Sequence, residues 1–230
     1  ITLNSKQNEI NLIQLNKTLI YEIDKKTDSS RRLLVNTAAG ETSELYIGMQ
    51  VPLYFQNGKR ATIDDLPSEV PIMVSYMGSS IEAVYIPEMT SGKLTDVNLN
   101  NNTLRVLGYD GRNHTFTLNQ EYLVVKDGRR YDNLQDANLT EEDRLRIAKD
   151  NEGNYYIYIL RGENKKFWQY SSQTKTVSFR RSTQNEDYQF TINDQSFIHE
   201  DWVPVPLSSF RNGDEVTVYL QGNQIVEMTK

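Results

Sequence analysis

The chain of 230 residues has no cysteine, only two histidines and only 12 glycines. Without cysteine there is no disulfide framework and no thiolate-ligated zinc module. The absence of cysteine alone leaves the redox compartment open. Basic charge is also short, with 25 Lys+Arg against 31 Asp+Glu and a net charge of −6. That balance argues against a dedicated nucleic-acid binder, whose affinity comes from a basic face that neutralises phosphates. No apolar run approaches the roughly 18 residues that span a bilayer, so no membrane insertion is expected of this segment. The start, Ile1-Thr2-Leu3-Asn4, is neither a Met start nor a signal peptide, and a piece of a longer protein is expected.

Strand signals fill the space. Leu104, Val106, Phe116, Leu118, Val216, Val218 and Leu220 lie in short alternating runs, broken by Asp110-Gly111, Asp127-Gly128 and Gly222-Asn223. Abundant Asn supplies further turns, because it tolerates left-handed backbone. One helical turn is predicted at Leu139–Asp143, where Thr140 caps the start and Asp143 follows three residues on.

Internal repetition is the strongest pattern. Adding 144 to Leu66, Ile72, Val74, Tyr76, Gly78 and Ile81 gives Phe210, Val216, Val218, Leu220, Gly222 and Ile225, with every residue class kept. A middle copy appears at an offset of 73, where Leu139, Leu145 and Ile147 match Leu66, Ile72 and Val74. Phe116-Thr117-Leu118-Asn119 likewise becomes Phe190-Thr191-Ile192-Asn193 at an offset of 74. The expected organisation is three β repeats, at about 1–88, 89–161 and 162–230. Five or six short strands in each copy cannot cover both faces of an open sheet, so the predicted fold is all-β, three tandem small barrels or tight sandwiches.

The first copy is expected to be truncated at its start and to carry an inserted hairpin. Leu3, Ile10 and Leu12 reach Val97, Leu104 and Val106 at an offset of 94, whereas Asn57-Gly58-Lys59-Arg60 reaches Asp127-Gly128-Arg129-Arg130 at 70. The difference places an insertion at about 13–45, including Thr18–Ile23 and Arg31–Val35. It either packs as an extended edge or projects as a contact arm that presents Arg31 and Arg32.

Catalytic chemistry finds little support. His114 alternates with Phe116 and Leu118 along a predicted strand, and His199 sits beside Glu200 and Asp201 without a nucleophile that a base would activate. Asp64-Asp65 and Glu141-Glu142-Asp143 lie in connections, where adjacent acids are solvated. Asp150-Asn151-Glu152-Gly153-Asn154 has calcium-type oxygen ligands but lacks the spacing of an EF-hand, and a hairpin turn is the expected reading over weak calcium binding. No enzyme activity, cofactor or metal is therefore expected. The doublets Arg31-Arg32, Arg129-Arg130 and Arg180-Arg181 are dispersed, although the last adjoins Phe179. Aromatic residues offer a contact surface instead. Tyr155, Tyr156 and Tyr158 precede the expected boundary between copies two and three, Trp168 and Tyr170 follow it, and Trp202 lies in the third copy. They either pack against each other or form a platform for a glycan or protein partner.

The repeat itself resembles the tandem β-repeats of bacterial cell-surface proteins, of the Gram-positive kind that carry S-layer homology anchoring modules. The resemblance rests on Gly92-Lys93-Leu94-Thr95-Asp96-Val97, Asn102-Thr103-Leu104-Arg105-Val106, Phe116-Thr117-Leu118-Asn119 and Lys126-Asp127-Gly128-Arg129. It continues in Asn212-Gly213-Asp214-Glu215-Val216-Thr217-Val218-Tyr219-Leu220 and Gly222-Asn223-Gln224-Ile225-Val226-Glu227. The first copy departs most, with Pro67-Ser68-Glu69 in place of the Gly-Asp turn. The resemblance implies an extracellular, wall-associated or S-layer-associated segment that spaces, displays or adheres. Its implied partner is a cell-wall glycan or another surface protein.

Overall fold

The structure, a computed structural model, describes residues 2–3, 10–12, 16–26, 31–37, 40–66, 71–118, 121–150, 153–184 and 186–230. The fold is all-β, and the chain divides into two compact units, Ile1–Glu88 and Met89–Lys230.

The first unit opens with β1 (Thr2–Leu3) and β2 (Ile10–Leu12), which form a two-stranded sheet of their own. Seven further strands follow: β3 (Asn16–Lys26), β4 (Arg32–Thr37), β5 (Thr42–Tyr46), β6 (Leu53–Phe55), β7 (Arg60–Ala61), β8 (Pro71–Met77) and β9 (Ser80–Ile86). Their spatial order is β5-β4-β3-β8-β9-β6-β7. Neighbours are antiparallel except β6 and β9, which run parallel.

The second unit uses that order twice. Its first half contains β10 (Met89–Asn98), β11 (Thr103–Gly108), β12 (Asn113–Thr117), β13 (Tyr122–Lys126), β14 (Arg129–Tyr131), the helical turn α1 (Leu134–Ala137), β15 (Arg144–Lys149) and β16 (Tyr155–Ser171). These pair as β12-β11-β10-β15-β16-β13-β14, with β13 parallel to β16. The second half adds β17 (Thr176–Phe179), β18 (Gln189–Thr191), β19 (Phe197–Glu200), β20 (Val203–Pro204), β21 (Glu215–Gln221) and β22 (Gln224–Thr229). These give β18-β17-β16-β21-β22-β19-β20, with β19 parallel to β22. One further pairing, β18 with β22, closes β16, β17, β18, β22 and β21 into a five-stranded barrel.

Each copy of this order encloses its own apolar cluster. Ile23, Leu33, Val35, Ile47, Ile72 and Val84 centre the first. Leu94, Leu104, Val106, Leu145, Ile147 and Ile157 centre the second, and Phe167, Val177, Phe179, Val216, Val218 and Ile225 the third. Burying such side chains contributes roughly 1.5–3 kcal/mol each, which offsets the ordering of the short strands.

Register reveals where the copies correspond. A β-bulge interrupts the first strand pair at one equivalent place in all three: between Ile23 and Lys25, between Leu94 and Asp96, and between Phe167 and Gln169. Ile23, Leu33 and Val35 therefore match Leu94, Leu104 and Val106 at an offset of 71. This corrects the expected insertion at about 13–45. Thr18–Val35 supplies the copy's own β3 and β4, and Ile23, Leu33 and Val35 are at most 1% exposed. Leu3, Ile10 and Leu12, matched instead at 94, lie on the separate β1–β2 pair. Residues 27–30 of the connecting turn, and Pro67-Ser68-Glu69, fall outside the described residues.

The predicted helical turn is displaced. Asn133 caps α1 through its Oδ1, which accepts the Asp136 N–H at 2.7 Å, and Asn138 at φ 44° ends it in left-handed backbone. At Leu139–Asp143 the capping pattern survives without a helix: the Thr140 N–H donates to Asp143 Oδ2 at 2.9 Å and leads the chain into β15. The Asp127-Gly128 turn forms as predicted. Both residues have positive φ, 52° and 73°, the geometry that a two-residue hairpin turn requires.

The expected boundary after residue 161 falls inside β16. Residues Tyr155–Leu160 pair with β15, Arg161–Lys166 with β21, and Phe167–Ser171 with β17. Pro87 occupies the place that Leu160 takes in the next copy, by the pairings of Val84 with Val74 and of Ile157 with Ile147. Proline cannot donate a ladder hydrogen bond, and β9 ends at Ile86. Leu160, paired with Arg144, lets its strand continue.

Candidate functional site

The structure does not gather the tyrosines and tryptophans into one platform. All except Trp202 lie on β16, but from Tyr158 to Trp168 that strand advances roughly 33 Å at about 3.3 Å per residue. Tyr158 is only 6% exposed. Tyr155 packs against the second core, edge-on to Phe116 at 5.9 Å, with the Lys149 ammonium 5.2 Å from its ring centroid. Tyr156 is half-buried and bonded within the protein. Arg31 donates from its two terminal nitrogens to the carbonyls of Met49 and Val51 at 3.0 and 3.4 Å, which fixes the start of β4 rather than presenting a cation. Arg32 pairs with Glu44 at 3.5 Å on the surface, a contact worth at most about 1 kcal/mol.

Trp202 belongs to a buried polar and aromatic cluster between the two cores of the second unit. Its centre is Glu227 on β22, which is 0% exposed. One carboxylate oxygen accepts from the Tyr109 hydroxyl at 2.5 Å and from Arg144 Nε at 2.7 Å; the other accepts from His199 Nε2 at 3.0 Å. Tyr109 and Arg144 come from the second copy, and His199 and Glu227 from the third. The Trp202 N–H donates to His199 Nδ1 at 3.1 Å, so that nitrogen carries no proton and Nε2 is the one that donates to Glu227. The His199 ring stacks on Phe197 at 4.4 Å and on Trp202 at 5.4 Å, those two rings lie 5.6 Å apart, and Tyr109 stacks on Phe197 at 4.9 Å. The Arg144 guanidinium lies over the Trp202 and Tyr219 rings at 5.3 and 5.0 Å. Trp202 itself has φ 66°, a left-handed conformation that costs about 1–2 kcal/mol and is held by that N–H bond and the stacking.

Electrostatics agree with the geometry. Burial pushes the Glu227 carboxyl up, but the bonds from His199, Arg144 and Tyr109 and the Arg144 charge outweigh it and hold the group below the usual glutamate range. Burial and the Glu227 charge push the Tyr109 phenol well above its ordinary value, so it stays a hydrogen-bond donor. Beside this cluster Arg146 donates to Gln221 Oε1 at 2.6 Å while its Nε is buried without a partner, and burial pulls the guanidinium down to about 10. Tyr109, Arg144 and His199 all spend a donor on Glu227. The carboxylates expected beside His199, Glu200 and Asp201, are not its partner. Glu227, 28 residues away, is.

A second feature lies on the outside of the third barrel. Trp168, Phe179, Arg180, Arg181, Tyr188 and Asn212 line an open groove of about 480 Å³. Trp168 is 44% exposed. Arg180 donates from Nε and a terminal nitrogen to Asn212 Oδ1 at 3.0 and 2.8 Å, and the Arg181 guanidinium lies 3.8 Å from the Tyr188 ring centroid. Of the expected contact residues, Trp168 is the one whose ring faces such a groove.

The remaining candidates are occupied within the protein. His114 Nε2 bonds Asp110 at 3.1 Å, and the Asp110 carboxyl is held below its usual range first by the Arg112 backbone N–H and then by His114. Asp65 accepts from the Thr62 N–H and hydroxyl, Glu142 pairs with Lys93, and Asp143 with Lys126. Asp150 spends both oxygens on Asn154, while Asn151 and Glu152 lie outside the described residues. Among the described residues no group of three His, Asp or Glu is placed to hold a metal ion. Comparison with known protein families finds no family model that matches the chain, and comparison with curated proteins finds no match.

Proposed function

We propose that the chain is a non-enzymatic spacer and display segment of a bacterial cell-surface protein, built into the cell wall or S-layer. The observation that carries this reading is the threefold strand order, with the second and third copies sharing β16 and locked together by the buried Glu227 cluster. A segment that holds modules at a set distance needs stacked units whose junctions do not bend, and at this junction Tyr109 and Arg144 of one copy bond Glu227 of the next. The resemblance to tandem repeats of surface proteins supplies the compartment.

Distance measurement tests the spacer. The chain has no native cysteine, so Asn100→Cys and Gln173→Cys, both in exposed turns, accept a pair of spin labels. A single narrow distance peak is expected, and a broad distribution overturns the rigid junction. For the compartment, brief trypsin treatment of intact cells that make the protein is expected to release peptides of this chain. Release only after lysis overturns the surface assignment.

A further inference from the structure

We infer that the groove on the third barrel binds the carboxylate-bearing sugars of an acidic polysaccharide. This goes beyond the spacer reading and does not depend on it.

Comparison of the three copies isolates the groove as an addition to the fold. Trp168 is the extra residue of the β-bulge between Phe167 and Gln169; Thr95 and Asp24 hold that position in the other copies. A bulge turns its extra side chain away from the ladder, and the fold needs only a small polar residue there, as Thr95 shows by bonding the Arg105 carbonyl at 3.1 Å. Arg180 and Arg181 stand where the second copy has Leu107 and Gly108 and the first has Asn36 and Thr37. Tyr188, which opposes Phe179, replaces His114, which opposes Val106. One repeat in three has thus acquired a Trp, two Arg and a Tyr at clustered positions that barrel formation leaves open.

The chemistry of the cluster selects its ligand. Among the described residues neither Arg180 nor Arg181 takes part in an ion pair; their partners are the neutral Asn212 oxygen and the Tyr188 ring. Glu186 and Asp214 are engaged elsewhere, by Lys165 and by Lys230, and no ion pair joins Asp187 to either guanidinium among the described residues. Two guanidiniums are therefore oriented without a paired carboxylate; Arg180 spends its Nε–Nη2 edge on Asn212, and Arg181, stacked on Tyr188, is the one held for bidentate bonding to a carboxylate beside that second charge. The exposed Trp168 ring offers an apolar face on which a sugar ring stacks. The volume falls within the roughly 300–1,000 Å³ of small-ligand sites. A nucleic acid fits less well, since it needs a long basic track and the chain is net −6. That net charge does not forbid a compact anion, because charges beyond about 8 Å are screened at physiological salt.

The test is titration of the full chain with a hyaluronan hexasaccharide and with tri-galacturonate, read by calorimetry and tryptophan fluorescence. Binding of at least one at sub-millimolar concentration is expected, at least tenfold tighter than neutral maltohexaose and weakened by salt. Trp168→Ala, Arg180→Gln and Arg181→Gln are each expected to weaken it at least tenfold. The two Arg variants replace exposed side chains and keep the test valid if Trp168→Ala disturbs the bulge. No binding at 1 mM, equal binding of the neutral sugar, unchanged affinity in the Arg variants, or tighter binding of oligo-dT overturns the inference.

Discussion

Replacement of Glu227 by alanine is expected to destabilise the second unit by about 3–5 kcal/mol, the range for removing one member of a buried ion pair. The loss exceeds that of the contacts themselves, because the Arg144 guanidinium, the His199 Nε2–H and the Tyr109 hydroxyl are all left buried without their acceptor. The two tryptophans of the chain, Trp168 and Trp202, both lie in this unit, so intrinsic fluorescence during urea unfolding reports on it selectively. A loss below about 1 kcal/mol would show that the cluster is not the junction's main tie. Replacing Glu227 and Arg144 together by Leu and Met is expected to recover part of the loss, since no charge then remains buried alone. The carboxyl titrates lower in the folded chain than in the unfolded one, so its contribution is complete above the ordinary value of about 4.3 and is lost as pH falls through the lower folded value. The stability gap between wild type and Glu227→Gln should be flat from pH 5 to 7 and narrow below about pH 4. A gap that widens with acid contradicts the assignment of Glu227 as the ionised acceptor.

The second large effect is expected in the first unit. Leu33→Ala should cost about 2–5 kcal/mol, because the side chain is 1% exposed in a core that includes Ile23, Val35 and Ile72. Hydrogen exchange resolved to β3, β4 and β8 checks it: protection should fall in all three together, since β3 pairs with both of its neighbours. A projecting hairpin would lose protection in β4 alone and leave β8 unchanged. Leu19→Ala, on the neighbouring β3 and 36% exposed, is a control with a much smaller effect.

The mismatch at β3 and β4 has a physical reason. Strands after residue 60 alternate with period two, and their turns carry Gly, Asn and Asp at positive φ, at Asn102, Gly111, Asp127, Gly128 and Gly222. Both signals are local, so repeat offsets found them. In β3 the bulge shifts the apolar face by one residue, and Asp24-Lys25 reads as the start of a turn although the strand still pairs through both Lys25 and Lys26. Matching Leu3, Ile10 and Leu12 to the second copy preserved residue class while ignoring that shift. The offset of 71 runs without a gap from Ile23 through Leu33 to Val35, because both copies carry the same bulge. The Glu227 cluster was harder to see, because its partners are 28, 83 and 118 residues away and share no local pattern. One clue was present: Glu227 is the one polar residue between Ile225 and Met228, and a buried carboxylate demands partners. The groove was half visible, since Arg180-Arg181 beside Phe179 drew notice, but the approach of Trp168 depends on a bulge that composition does not reveal.

The continuity of β16 also bears on tension. Antiparallel ladder hydrogen bonds stand perpendicular to the strand, so a pull along β16 loads those to β15 and β21 in shear, many at once, rather than peeling them one by one. A single covalent segment carries the load from the sheet of the second copy into the barrel of the third without crossing a loop. The junction that multi-barrel proteins usually expose as their soft point is here a stretch of sheet, and under stretch it should outlast the turns around it.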